Sequence, residues 1–173
     1  DFSQIDAGSL HFELGPLALQ PFLTELTSQF TATAEASGVV LSCEVAPMTH
    51  SAVIADQMRL RQALSNLLSN AIKFSNSGGE VHLWVGPNPE GAEGIKFAVK
   101  DTGVGIRSED QTKIFEAYQR SRGEGLDRKG IGLGLPIARV LLENMGATLL
   151  VESELNKGSN FYFVLAAASV SGT

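Results

Sequence analysis

Hydrophobic positions along this chain switch between periods of two and of 3.6 residues, and the switches mark out its elements. Leu10, Phe12 and Leu14 alternate with polar neighbours, which predicts a short strand ended by Gly15-Pro16. A helix is expected next. Pro21 suits its first turn, Phe22, Leu23, Leu26 and Phe30 recur at helical spacing, and Gly38 suits its C-terminal cap. Val39 to Val45 reads as a strand and Val53-Ile54 as a brief one. Asp56 is then the expected N-cap of a long helix reaching about Phe74. In that helix Leu60, Leu64, Leu67, Leu68, Ala71 and Ile72 make one apolar stripe, and Arg59, Gln62, Asn66, Asn70 and Lys73 fall on the opposite side.

Val81 to Val85 and Ile95 to Val99 alternate as two strands joined by a hairpin loop rich in Gly, Pro, Asn and Glu. The segment from Asp101 to Leu135 is different, with glycine motifs, a charged run from Arg120 to Lys129 and little periodicity outside Ser108 to Tyr118. A long irregular stretch in a small domain points to function, often a lid. Pro136 to Met145 is expected to be helical, with Pro136 in its first turn. Thr148 to Ser153 and Asn160 to Leu165 are expected strands, with Asn156-Lys157-Gly158 as the turn between them.

Composition narrows the class. A chain of 173 residues with 43% hydrophobic and 18% charged residues suits one globular domain and excludes a disordered or collagen-like chain. The net charge of -6 argues against a broad footprint for nucleic acid or an anionic bilayer, while leaving room for a local phosphate pocket. The lone Cys43 cannot form an internal disulfide, no Cys/His cluster has zinc-site spacing, and no apolar run reaches membrane-spanning length. A soluble domain of a reducing, cytoplasmic compartment is expected. The opening Asp1-Phe2-Ser3-Gln4 lacks methionine and resembles no signal peptide, so a fragment of a longer protein is expected.

Three features carry candidate chemistry. On the long helix, Asn70 and Lys73 share a face on which an amide oxygen could meet Mg2+ and an ammonium could meet phosphate; a solvated polar face fits equally well. In Asp101-Thr102-Gly103-Val104-Gly105-Ile106, Asp101 shares the parity of Ile95, Phe97 and Val99, so its carboxylate is aimed toward the core and needs donors. A ligand amino group could supply them, with Gly103 and Gly105 letting backbone approach a flat ring; an Asp-Thr-Gly turn satisfied by its own loop is the alternative. In Gly130-Ile131-Gly132-Leu133-Gly134-Leu135, backbone amides could hold phosphate or the glycines could serve as a hinge. That GxGxG spacing is neither a Rossmann fingerprint nor a Walker A loop.

These residues carry a resemblance. Arg61 to Ser75 (RQALSNLLSNAIKFS) resembles the N box of sensor histidine kinases, DTGVGI their G1 box, Lys113 to Arg120 (KIFEAYQR) their F box and GIGLGL their G2 box, all in the family order. The opening DFSQIDAG is similar to the linker that follows the phosphoacceptor helices. The resemblance implies the catalytic and ATP-binding domain of a histidine kinase spanning residues 10–168, preceded by a linker over 1–9 and followed by a tail over 169–173. It implies the GHKL or Bergerat fold: an α+β two-layer sandwich with a mixed, mostly antiparallel sheet covered by helices on one face.

The implied cofactors are ATP and Mg2+. Asp101 would bind the adenine amino group, Asn70 would ligate the metal, and Asn66 and Lys73 would serve the phosphate side, making Asn66, Asn70 and Lys73 the catalytic set. Gly103, Gly105 and Ile106 would shape the adenine pocket, Phe115 and Tyr118 would belong to the mobile lid, and Gly130, Gly132, Leu133, Gly134 and Leu135 would form the lid hinge and phosphate-contacting backbone. The implied partners are a dimerisation and phosphoacceptor helix domain of the same full-length kinase and a downstream response regulator; the chain alone is expected to be monomeric. Ala117 departs from the proline common in the F box. His11, His50 and His82 lie in no acceptor motif. ATPases of the superfamily place a water-activating Glu four residues before the metal-binding Asn, and here that residue is Asn66, which cannot take a proton at neutral pH. A kinase is therefore favoured over an ATPase, with a degenerate nucleotide-binding regulatory module as the alternative.

Overall fold

A computed structural model describes residues 12–47, 49–90, 94–111, 113–115 and 131–168. The expected linker over 1–9, the tail over 169–173, and the charged run from Arg120 to Lys129 lie outside the described residues. Five strands form the main sheet in the order β2 (Val40–Val45), β4 (Glu80–Pro87), β5 (Ile95–Asp101), β7 (Gly158–Leu165) and β6 (Leu150–Glu154). The β2–β4 pair is parallel and the other three are antiparallel. Four described helices accompany it: α1 (Leu19–Ser28), α2 (Thr31–Ala36), α3 (Gln57–Lys73) and α4 (Ile131–Glu143). A second antiparallel pair, β1 (Gly15–Ala18) with β3 (Ala52–Ala55), is joined to the chain leaving β7 by a bridge between Val53 and Ala167. This is the mixed α+β sandwich implied by the motifs.

Strand alternation explains the two layers. Val85 faces Phe97, which faces Phe163, and the two rings stack with centroids 5.0 Å apart. Leu83, Val99 and Phe161 form the next row on the same side. These rows are buried against the α3 stripe of Leu60, Leu64, Leu67, Leu68, Ala71 and Ile72 and against Leu135, Ala138, Leu141 and Leu142 of α4. The intervening residues Trp84, Ala98 and Tyr162 fall on the sheet's other side, where Lys96 sits 4.6 Å above the Tyr162 ring. Asp56 caps α3 as expected, accepting from the Arg59 main-chain N–H at 3.1 Å.

Four local expectations are corrected. The first described strand is Gly15–Ala18, beyond Phe12 to Leu14, the described part of the expected strand, whose Leu10 and His11 lie outside the described residues; Pro16 is tolerated because β1 is an edge strand with one partner, and Leu14 is exposed. The single helix before Gly38 is two, because the hydroxyls of Thr27 and Ser28 bond back to Leu23 and Glu25 carbonyls and the chain tightens before Thr31. Gly38 then follows α2 with φ of 73°. Helix α4 begins at Ile131, five residues before Pro136, so that Gly132 and Gly134 are helical and the Gly132 carbonyl lacks its usual donor from residue 136. The last antiparallel pair starts at Leu150, two residues later than expected.

Candidate functional site

Asp101 ends β5, between Val81 on one neighbouring strand and Ser159 on the other. It points to the core side as its parity requires and is 6% exposed. Its Oδ1 accepts from the Gly103 main-chain N–H at 2.8 Å, and the nearby main-chain amide of Ser159 also favours the charged carboxylate. Burial pushes the Asp101 carboxyl above the ordinary carboxylate range, and the two amides only partly offset that. The loop beyond it is held at close backbone approach. A Cβ at Gly103 would lie 2.2 Å from the Phe74 carbonyl oxygen, and one at Gly105, where φ is 73°, would lie 2.1 Å from that of Glu154.

Opposite this carboxylate stands the polar side of α3. Asn70 is buried there, 8% exposed, because α4 crosses over it, which corrects the picture of a polar side turned wholly to solvent. Its Nδ2 is buried without a hydrogen-bond partner, and a Cβ on Gly134 would come within 3.3 Å of that nitrogen. Asn66, one turn earlier and half-buried, donates its Nδ2 to the Gly134 carbonyl oxygen at 3.2 Å. Lys73 lies exposed on the last turn of α3.

Asn70 and Asp101 face one cavity whose apolar walls include Phe74, Val104, Ile106 and Leu135. Its volume is about 30 Å³, room for a water or two and less than a flat heterocycle needs. An apolar slot with a desolvated carboxylate at one end and an unsatisfied amide at the other is chemically suited to an aromatic base that donates at one edge and carries polar groups at the other. Binding such a ligand requires the cavity to widen. A larger depression of about 690 Å³ lies near the N-terminal end of α3, beside Pro16, Met58 and Arg59; of the motif residues only Arg61, at the start of the N box, lines it.

The pattern of the histidine kinase-, DNA gyrase B-, and HSP90-like ATPase family matches residues 55–169, which include every residue lining the cavity of Asn70 and Asp101. The chain belongs to this family. Within it, the chain is 32% identical over 166 residues to the signal transduction histidine-protein kinase BarA of Escherichia coli K12, covering 94% of this chain and 18% of BarA. It is 36% identical over 168 residues to the sensor protein GacS of Pseudomonas syringae pv. syringae, covering 95% of this chain and 18% of GacS. The chain thus spans less than a fifth of the length of these relatives. Full-length ShkA, solved in complex with AMPPNP, superposes with a TM-score of 0.82 at 30% identity over 96% of this chain and 34% of ShkA.

On this family's fold the structure brings Asn70, Asp101, Gly105, Ile106 and Leu135 to one cavity, with Gly103 beneath it and Asn66 and Gly134 on its helical side. Phe115 closes a short 3-10 turn at Lys113–Phe115 and Leu133 and Gly132 lie in the first turn of α4; the side chains of Phe115 and Leu133 lie outside the described residues, as do Tyr118 and Gly130. The sequence pattern does not single out Phe74, Ser159 or Phe161 as site residues, and all three line the cavity. Ser159 sits directly across from Asp101, a relation fixed by the β5–β7 register and invisible before the strands are paired. Among the described residues no helix is long and apolar enough to cross a membrane.

Proposed function

We propose that this chain is the ATP-binding catalytic domain of a two-component sensor histidine kinase, which transfers the γ-phosphoryl of ATP to a histidine on a separate dimerisation helix domain. The observation that carries this reading is the pairing of buried Asp101 with unsatisfied Asn70 across one apolar cavity. Asp101 accepts from the exocyclic amino group of adenine, and the walls formed by Ile106 and Leu135 take the ring faces. Nucleotide binding by ShkA, solved with AMPPNP, supports the same ligand class here.

Asn70 has hydrogen-bonding capacity that the protein itself leaves unused, as a residue that holds a polar ligand does. Its amide oxygen, not the unpaired nitrogen, is the atom that would hold Mg2+, which when bound supplies positive charge against the triphosphate. Lys73, one turn on, adds charge on the phosphate side. Asn66 is an amide already donating to Gly134, so it cannot activate water. A neutral imidazole brings its own lone pair and needs no base from this domain. The domain's contribution is therefore positioning and charge, and the nucleophile comes from the partner helix. A response regulator then receives the phosphoryl group from that histidine.

Mixing the chain with a phosphoacceptor-helix fragment and γ-labelled ATP is expected to label a histidine of the fragment. Absence of labelling despite tight ATP binding would favour the degenerate regulatory module instead.

A further inference from the structure

The loop that walls the cavity at Ile106 does not hold itself in place. Its main-chain N–H donates to the Ser153 Oγ at 2.8 Å, and Ser153 lies on β6, outside the cavity and outside every motif box. The same hydroxyl donates to the Gly158 carbonyl oxygen at 2.9 Å and lies 2.8 Å from the Ser159 Oγ. These bonds are mutually compatible: the Ser153 oxygen accepts from Ile106 and from the Ser159 hydroxyl while its one proton goes to Gly158. Ser159 is the residue directly across from Asp101 in the β5–β7 register. One hydroxyl thus joins the two walls between which the carboxylate sits.

Gln111 braces the joint from the other side. Its Nε2 donates to the Ile106 carbonyl oxygen at 2.9 Å and to the Ser153 carbonyl oxygen at 3.1 Å, using both amide protons. The hairpin turn reinforces the same contact, since the Asn156 N–H donates to the Val104 carbonyl oxygen at 2.7 Å.

We propose that Ser153, braced by Gln111, is a positioning residue that sets the spacing between the Ile106 loop and the Ser159–Asp101 strand ends, and through it the selectivity of the cavity for a base bearing an amino donor. This rests on the adenine reading of the cavity. Without the Ser153 hydroxyl, the Ile106 N–H and the Gly158 carbonyl lose a partner, and the loop is free to shift relative to Asp101. The base end of the ligand feels that shift. An oxo-bearing base, which has no bond to Asp101 to lose, feels it far less.

Calorimetric titration of the 173-residue chain with ADP and with GDP, in the presence of Mg2+, tests this. For Ser153→Ala, ADP affinity is expected to fall about tenfold, the scale of one buried hydrogen bond, while GDP affinity stays within about twofold, so that discrimination shrinks. Ser153→Thr, which keeps the hydroxyl, is expected to restore the parent ratio. Gln111→Leu is expected to lower the ratio in the same direction, and adding it to Ser153→Ala is expected to cost less than the sum of the two single changes. A Ser153→Ala variant with a lowered melting temperature but an unchanged ADP-to-GDP ratio would reduce Ser153 to a purely structural residue and overturn the proposal. Failure of the parent chain to bind ADP at all would instead overturn the adenine reading, and this inference with it.

Discussion

Asn66 on α3 donates its Nδ2 to the carbonyl oxygen of Gly134 on α4 at 3.2 Å, so the helix carrying the second glycine motif rests on the helix carrying the asparagines. That contact places Gly134 over Asn70 and leaves the buried Asn70 Nδ2 with no acceptor. An unpaired buried donor costs about 1–3 kcal/mol, a cost a folded domain retains where a ligand later supplies the partner.

Asn70→Ala is therefore expected to unfold no earlier than the parent, because deleting an unsatisfied buried amide offsets the small loss of packing. ATP-dependent labelling of an acceptor fragment is expected to fall by at least about tenfold. Thermal melts and initial labelling rates check the two halves. A variant that melts well below the parent would make Asn70 a packing residue.

Asp101 predicts selectivity and a pH dependence. Guanine presents a carbonyl where adenine presents its amino donor, so ATP is expected to bind more tightly than GTP by roughly 2 kcal/mol in a desolvated site. Burial raises the carboxyl's folded value above its unfolded one, so the folded protein holds this proton more tightly than the unfolded chain does. The penalty for the buried carboxylate is fully present at neutral pH and is relieved as pH falls through the raised value. Asp101→Asn removes that penalty and is expected to raise the melting temperature at pH 7 while weakening ATP binding. In the parent, the preference for ATP over GTP is expected to shrink on acidification into that range, since a protonated carboxyl can donate to the guanine carbonyl. Equal selectivity at neutral and acid pH, read by calorimetry, would contradict the role of the carboxylate.

The Asp101 site was legible in the sequence because it rests on parity: a strand of alternating residues dictates which way its last carboxylate faces, whatever the partner strands are. The α3 stripe was legible for the same local reason. Other features depended on which elements meet. The sequence shows Asn70 on the polar side of its helix, yet only the crossing of α4 decides that this side is buried at Asn70 and open at Lys73. The start of α4 is not legible in the same way, because Pro136 suits a first helical turn, whereas the chain winds through two glycines before it. Ser153 and Gln111 carry no pattern, since their roles arise from side chains reaching across three separate segments.

Gly105 gives a prediction of stability alone. Its φ of 73° and the 2.1 Å separation between a hypothetical Cβ and the Glu154 carbonyl oxygen leave no space for a side chain. Gly105→Ala is expected to destabilise the fold by more than about 2 kcal/mol, combining left-handed strain with a backbone clash. Gly146, where φ is 88° but nothing lies within 4 Å of a Cβ, isolates the strain: Gly146→Ala is expected to cost only about 1–2 kcal/mol. Urea titration of both variants separates the two contributions, and equal losses would mean that the loop yields at Glu154.

The chain by itself is expected to bind Mg-ATP and turn it over barely at all, gaining phosphotransfer only when a histidine-bearing helical partner is present. Asn66 supplies no base for water, and its amide is engaged with Gly134. His82 is unsuited as an internal acceptor on two counts. Both ring nitrogens are engaged, Nδ1 with the Ser42 Oγ at 2.6 Å and Nε2 with the Glu44 Oε1 at 3.2 Å. It also lies on the side of the sheet opposite the cavity, because its β4 neighbours Val81 and Leu83 are the residues turned to the core. His50 lies in a loop after β2, and His11 lies outside the described residues. Incubating the chain with γ-labelled ATP should leave both protein and free phosphate near background, and adding an acceptor-helix fragment should transfer label to the fragment. Rapid phosphate release by the chain alone would mean that the domain activates water, and stable label on His82 would mean that it carries its own acceptor.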